Sequence, residues 1–433
     1  MNKFKVIRIC AAYLVVLILG GCTIISDPIL DMKTPQISAD KESLRQFIET
    51  QLPEGNKKIR ARETDDTSLI RFVDLNNDGV EETVVFYETP DQDVLLHGMI
   101  FEKLKDGTWI KKVTFDGVGK VLESLKFVDI TNDGNIDIIA GYSRGEDLDK
   151  ALIVYSYQGD SVEKELELPY TEFVVDDLNS DTMNDLTIVA LTPSELAVMT
   201  TYQYNESFIA LDRIELNPNV ESYYNVVSGK VAKDKKGIIL DSSIGVNSSY
   251  SEIVVMENNK LKLVMDQDRT YKELRVTSED VNNDGIYEIG MLEIPKGWEL
   301  FNFDEIPWFF SYYQWDGEED LIFVRQQYQD LKNHFHLNFF PPEWHGNITV
   351  DTKSIKDEYL RFIMLDTGKT VAEIKFFTVR QWEKDHGDWE LLMKDKSRVM
   401  GYKSYDDHLK LNKSKERDST EVPLIERKGI KGE

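Results

Sequence analysis

Thiols are nearly missing from this chain. Of 433 residues only Cys10 and Cys22 are cysteines, and both fall in its first two dozen residues. A disulfide framework for the body of the protein is thereby excluded, so its stability must rest on core burial and on bound ions. Positive charge is also in short supply. There are 51 Lys and Arg against 78 Asp and Glu, a net charge of −27. That balance argues against nucleic acid or anionic lipid as a partner. The common catalytic signatures are lacking too. No G-x-S-x-G element, P-loop or G-x-G-x-x-G follows a strand pattern. His334 and His336 alternate along one apparent strand, but no third ligand accompanies them, and they read as a surface or core pair.

What is present begins at the N-terminus. Lys3, Lys5 and Arg8 give a positive start, and Ile9 to Leu19 is an apolar stretch. A membrane-spanning helix needs about 20 apolar residues, so this shorter run fits a signal peptide. Leu19-Gly20-Gly21-Cys22 resembles the lipobox of bacterial lipoproteins. The resemblance implies cleavage before Cys22 and diacylglycerol on its thiol. A doubly acylated cysteine supplies the more than one chain that stable anchoring requires. The expected organisation is a signal peptide over 1–21, a tether over 22–39, and a helix with its lead-in over 40–58. Leu44, Phe47, Ile48 and Leu52 give that helix its apolar face. The chain is expected to be exported and held at the outer face of the cell membrane, a Gram-positive surface being favoured.

The body repeats itself with a period near fifty residues. Four segments share the form D-x-[NT]-x-D-[GT]-x-x-[DE], and they start at Asp74, Asp129, Asp177 and Asp280. The first aspartates lie 55, 48 and 103 residues apart, so the last gap covers two periods. Lys233-Asp234-Lys235-Lys236-Gly237 occupies the missing place without the ladder of carboxylates. After each loop comes a short apolar strand, then two alternating stretches joined by a tight turn. The turns are Asp106-Gly107, Gly159-Asp160, Asn205-Glu206, Asn258-Asn259 and Asp316-Gly317, residues that suit positive φ. Each unit thus reads as four short antiparallel strands, and such units at this period suggest propeller blades.

The loop and the strand after it resemble the FG-GAP or VCBS repeats of integrin-α-like β-propellers and bacterial surface proteins. The likeness covers about five units, from Ile59 to Leu331. It implies a mainly β fold: a propeller-like array of four-stranded blades whose loops hold Ca²⁺. The array is shorter than the usual seven or eight blades, and its phenylalanine-glycine signatures are weak. A small β-rich domain over 332–408 is expected next, with a disordered tail over 409–433. The alternative is two degenerate blades completing a seven-bladed ring.

The loop chemistry suits Ca²⁺, which takes six to eight oxygens. Asp74, Asn76, Asp78 and Glu82 would supply side-chain oxygens in the first loop. The same roles fall on Asp129, Thr131, Asp133 and Asp137; on Asp177, Asn179, Asp181 and Asp185; and on Asp280, Asn282, Asp284 and Glu288. An EF-hand opens alike but ends on Glu at position twelve, where these loops carry Val85, Ala140, Ile188 and Met291. Up to four structural ions are expected. Loops two and three should be weaker, because Thr131 replaces Asn in one and Thr182 replaces Gly in the other.

Two function classes stay open. One is a non-enzymatic surface module that binds a protein or glycan or scaffolds the envelope. The other is an envelope hydrolase acting on glycan or peptide through an unrecognised site. The aromatic block from Trp298 to Trp315 is expected to serve as core and inter-domain packing rather than as a sugar-stacking surface.

Overall fold

The structure is a computed structural model that describes residues 39–63, 66–89, 93–145, 150–394, 396–409 and 411–412. The expected signal peptide and the lipobox-like segment with Cys22 lie outside the described residues. No described helix is long and apolar enough to cross a membrane.

The fold is mainly β: six antiparallel sheets follow one another along the chain. A helix, Ala39–Gln51, precedes them. It buries Leu44, Ile48 and Leu52 against Val85, Tyr87, Met99 and Phe101 of the first sheet. The second, third and fourth sheets each hold four strands in simple sequential order. In the first and second sheets the strand after the loop is the most enclosed. Asp137–Ser143 is buried along its whole length and Glu82–Glu88 along all but its last residue. Both faces of these strands are covered, those of Asp137–Ser143 by the sheets on either side and those of Glu82–Glu88 by the second sheet and the N-terminal helix, which is why they read as continuous apolar runs rather than alternating ones. The outermost strands Val162–Pro169 and Phe208–Glu215 hold no fully buried residue.

Packing is strictly between neighbours. One core joins the first and second sheets around Phe86, Ile100, Phe115 and Tyr142. Others join second to third through Ile130, Val154 and Phe173, third to fourth through Met199, Leu240 and Tyr250, and fourth to fifth through Ile239, Val255 and Trp315. A larger one joins fifth and sixth. Among the described residues no core cluster joins the first sheet to the sixth.

The hairpin turns sit where the sequence puts them. Gly107, Gly159, Glu206, Asn258, Asn259 and Gly317 all have positive φ. The C-terminal segment is β-rich, with strands Ile348–Val350, Tyr359–Met364, Thr370–Thr378, Glu390–Lys394 and Arg398–Ser404. Their order departs from that of the preceding sheets: the last hairpin is reversed, so Arg398–Ser404 pairs with Thr370–Thr378 and Glu390–Lys394 becomes the edge. A helix not foreseen, Val379–Lys384, fills the crossover, started by a capping box of Thr378 and Gln381.

Two boundaries differ from expectation. The fifth sheet extends past residue 331, through Phe335–Leu337, and that strand pairs with Leu411–Asn412. The segment from 409 is therefore not wholly a disordered tail. Leu409 is buried, and its carbonyl accepts a hydrogen bond from the Tyr402 hydroxyl at 2.6 Å. The histidine pair differs from expectation as well. His334 has positive φ and precedes the strand, so it does not share a strand face with His336.

The aromatic block is packing. Trp298, Trp308, Phe309, Phe310, Tyr312 and Trp315 are all buried. The Trp298 indole N–H donates to the carbonyl of Val350 in the sixth sheet at 2.7 Å.

Candidate metal-binding loops

The four acidic loops adopt one conformation, dictated by their first residue. The Asp74 carboxylate accepts the backbone N–H groups of Asp78 and Gly79 at 3.1 and 2.9 Å. Asp129, Asp177 and Asp280 do the same at the matching positions. The fifth residue then takes the N–H of the seventh, as Asp78 does from Val80 at 2.8 Å. The ninth closes the loop: Glu82 accepts from Leu75 N–H at 2.7 Å, and Asp137, Asp185 and Glu288 make the equivalent bond. Burial grades the ligands alike in all four. The first carboxylate is half-buried, the fifth residue exposed, the ninth fully buried.

The fourth and sixth residues carry positive φ. These are Asn77, Asn132, Ser180 and Asn283, then Gly79, Gly134, Thr182 and Gly285. Asn and Gly tolerate that region; a β-branched residue is strained there by roughly 1–2 kcal/mol. Thr182, with φ 75°, is the exception. Its replacement by glycine (Thr182→Gly) is expected to stabilise the Ca²⁺-free protein by about 0.5–1 kcal/mol, after the entropic cost of glycine in the unfolded chain. A urea midpoint at or below that of the wild type would refute this.

The ninth residues carry the electrostatic interest. Glu82 Oε1 and Asp137 Oδ1 are buried with no hydrogen-bond partner. The corresponding oxygens of Asp185 and Glu288 accept only from side-chain amides, Gln203 at 3.1 Å and Gln314 at 3.3 Å. Burial pushes all four carboxyls upward, Asp185 to about 6 and Glu288 to about 7. In the fifth unit Asp280, Asp284 and Glu288 present oxygens within 4.8 Å of one another. It is the one such group of three among the described residues.

The third positions split. Asn76, Asn179 and Asn282 each point an amide N–H₂ at the fifth-position aspartate, at 3.3, 2.9 and 2.9 Å. The Thr131 hydroxyl instead donates to Asp137 at 3.0 Å, so it is committed to the ninth residue.

Sequence reasoning missed the eighth position. It docks each loop on the one before. The Ile136 N–H donates to the carbonyl of Leu75 at 2.8 Å. Asn184 donates from its N–H to Asn132 Oδ1 and from its amide to the Asp129 carbonyl, at 2.8 and 2.7 Å. In the fourth unit the loop has shrunk to a turn, and Lys236 substitutes: its ammonium donates to the Asp177 carbonyl at 2.8 Å and to Asp176 at 3.0 Å. The Tyr287 N–H then donates to the carbonyl of Lys230 at 2.9 Å. The loops therefore form one continuous row along an end of the array. A repeat alignment that marks only acidic positions does not reveal this.

No protein-family model matches the chain, and no curated protein matches it. Among solved structures it is similar to the exotype rhamnogalacturonan lyase YesX, with 11% identity over 54% of this chain and 55% of that one and a TM-score of 0.32. The rhamnogalacturonan lyase YesW gives 11% identity over 59% of this chain and 67% of that one, TM-score 0.32. A putative 6-phosphogluconolactonase from Bacteroides fragilis gives 10% identity over 67% and 79%, TM-score 0.29. The chain thus spans about half the length of the first lyase, and likenesses at this level bring no activity with them.

Proposed function

We propose that the chain is a lipid-tethered surface protein whose propeller-like array, of the FG-GAP or VCBS type, binds Ca²⁺ in its acidic loops and acts as a non-enzymatic binding or scaffolding module for a protein or glycan. The observation that carries the Ca²⁺ reading is the orphaned buried oxygen on Glu82 and on Asp137, each on the carboxylate whose other oxygen closes its loop. Leaving such an acceptor unpaired costs about 1–3 kcal/mol, and a hard cation with oxygen ligands removes that cost. Asp74, Asn76, Asp78 and Glu82 would hold one ion, and Asp280, Asn282, Asp284 and Glu288 another. Thr131, its hydroxyl committed to Asp137, and the strained Thr182 make loops two and three the weaker sites. The ions would be structural, tying a short strand to the strand beside it.

The tether rests on the lipobox-like Leu19-Gly20-Gly21-Cys22. Cys22→Ser is expected to abolish incorporation of labelled palmitate and to shift the chain from the membrane fraction to the soluble one. Continued palmitate labelling of the variant would dismiss the anchor. The partner is to be sought by capture from native envelope with and without Ca²⁺.

A further inference from the structure

A second cluster of ligating side chains stands away from the acidic loops, at the seam between the fifth and sixth sheets. Glu293 ends the strand Ile289–Glu293, and Tyr313 lies in Phe309–Trp315. His345 follows the short 3-10 turn Pro342–Trp344. Their donor atoms meet. His345 Nε2 is 3.4 Å from Glu293 Oε2 and 3.5 Å from the Tyr313 hydroxyl. The Tyr313 hydroxyl donates to Glu293 Oε1.

Each group is held from behind. Gln326, buried, donates to Glu293 Oε2 at 2.8 Å and to Ser311 Oγ at 2.9 Å, which fixes the carboxylate's direction. The His345 ring stacks flat on Phe323, centroids 3.6 Å apart and planes within 8°. The turn carrying it is closed by the His345 N–H to the Pro342 carbonyl at 3.1 Å. Glu293 and His345 remain about a third exposed, so the cluster opens to solvent on one side.

We propose that Glu293, Tyr313 and His345 form a binding site for a divalent transition metal, of which Zn²⁺ is the model. One imidazole and two oxygens are the donor set such ions prefer over Ca²⁺. Bonds of about 2.0–2.2 Å place neighbouring donors of a tetrahedron about 3.4 Å apart, close to the two distances from the imidazole. The third edge must widen. The phenol proton that bridges Tyr313 and Glu293 is the one the ion displaces; it leaves to solvent, and the phenolate and carboxylate oxygens then share the metal. Affinity should therefore rise with pH. The fourth position faces solvent and would take water. Gln326, which touches no metal, is a positioning residue.

The test uses Co²⁺ as a spectroscopic probe on the full chain, with Ca²⁺ in excess so that the acidic loops are not in competition. A visible absorption band should appear with one equivalent of Co²⁺ and vanish with one equivalent of Zn²⁺. His345→Ala and Glu293→Gln should weaken binding at least tenfold, and Tyr313→Phe should weaken it and flatten its pH dependence. The exposed His345→Ala variant should keep the wild-type melting temperature and its response to EDTA, which separates this site from the loop sites. Absence of the band in the wild type, or equal Co²⁺ affinity in His345→Ala, overturns the proposal. Loss of the EDTA response with the band retained would strike the loop reading alone.

Discussion

Chelating Ca²⁺ with excess EDTA is expected to lower the melting temperature by about 10 °C at neutral pH. Twelve carboxylates are gathered in four loops, and four of them are fully buried ninth residues. An ion that binds only the folded state adds about 2.7 kcal/mol per site when its concentration is a hundred times Kd. Two well-occupied sites thus contribute about 5 kcal/mol, and a domain of 150–250 residues gains roughly 2–4 °C per kcal/mol, a larger chain somewhat less. The pH dependence has a definite sign. Burial raises Asp185 to about 6 and Glu288 to about 7, so without metal the folded state retains protons that the unfolded chain has lost. Stability of the Ca²⁺-free protein should therefore fall as pH rises from the ordinary carboxylate range to about 7. Ca²⁺ binds the ionised form and removes that penalty. The gap between melting curves with and without EDTA should accordingly be small at pH 5 and widen toward pH 7.5. Coincident curves across that range would defeat the Ca²⁺ assignment.

Breaking the buried ion pair between the fourth and fifth sheets is expected to cost about 3–5 kcal/mol. Lys272 and Asp241 are both fully buried, 3.3 Å apart. The Lys272 ammonium also donates to Ser251 Oγ and to the carbonyls of Val276 and Gly290, at 2.9, 2.7 and 2.7 Å. Asp241 accepts from Ser251, Ser278 and Asn225. Burial pushes the Lys272 ammonium below its ordinary value, and the Asp241 carboxylate opposes that shift. Lys272→Met strands the carboxylate and two carbonyls, and urea unfolding should register the loss. Adding Asp241→Asn to Lys272→Met should recover part of it, because no isolated charge then remains inside. A single-variant loss below about 1 kcal/mol would show that the pair has no such weight.

Much of this was legible in the chain because it is written locally. Asp-Gly and Asn-Asn turns demand positive φ where they stand. The spacing of acidic residues fixes the loop conformation through bonds reaching at most seven positions. Continuous and alternating apolar patterns separate inner from outer strands. The rest depends on distance in sequence. Lys272, in Tyr271-Lys272-Glu273, has the surroundings of a surface lysine, and only the fold of Asp241 onto it reveals a buried charge. Glu293, Tyr313 and His345 belong to three separate elements with no common spacing. Leu411–Asn412 sits in a polar run, and its order comes from the free edge of Phe335–Leu337. Asn184 binds the previous loop through its amide, a contact to residues about fifty positions earlier that its local sequence does not encode.

The docking of each loop on its predecessor gives the row a wiring. Loops one, two and three touch in series, whereas the fourth unit passes a lysine side chain and a backbone bond in place of a ligand set. With Ca²⁺ as occupant, the first three sites should titrate as a coupled block, each ion preparing the next, while the fifth unit fills on its own schedule. The protein would then report Ca²⁺ through two independent channels, separated by the one unit that lacks the carboxylates.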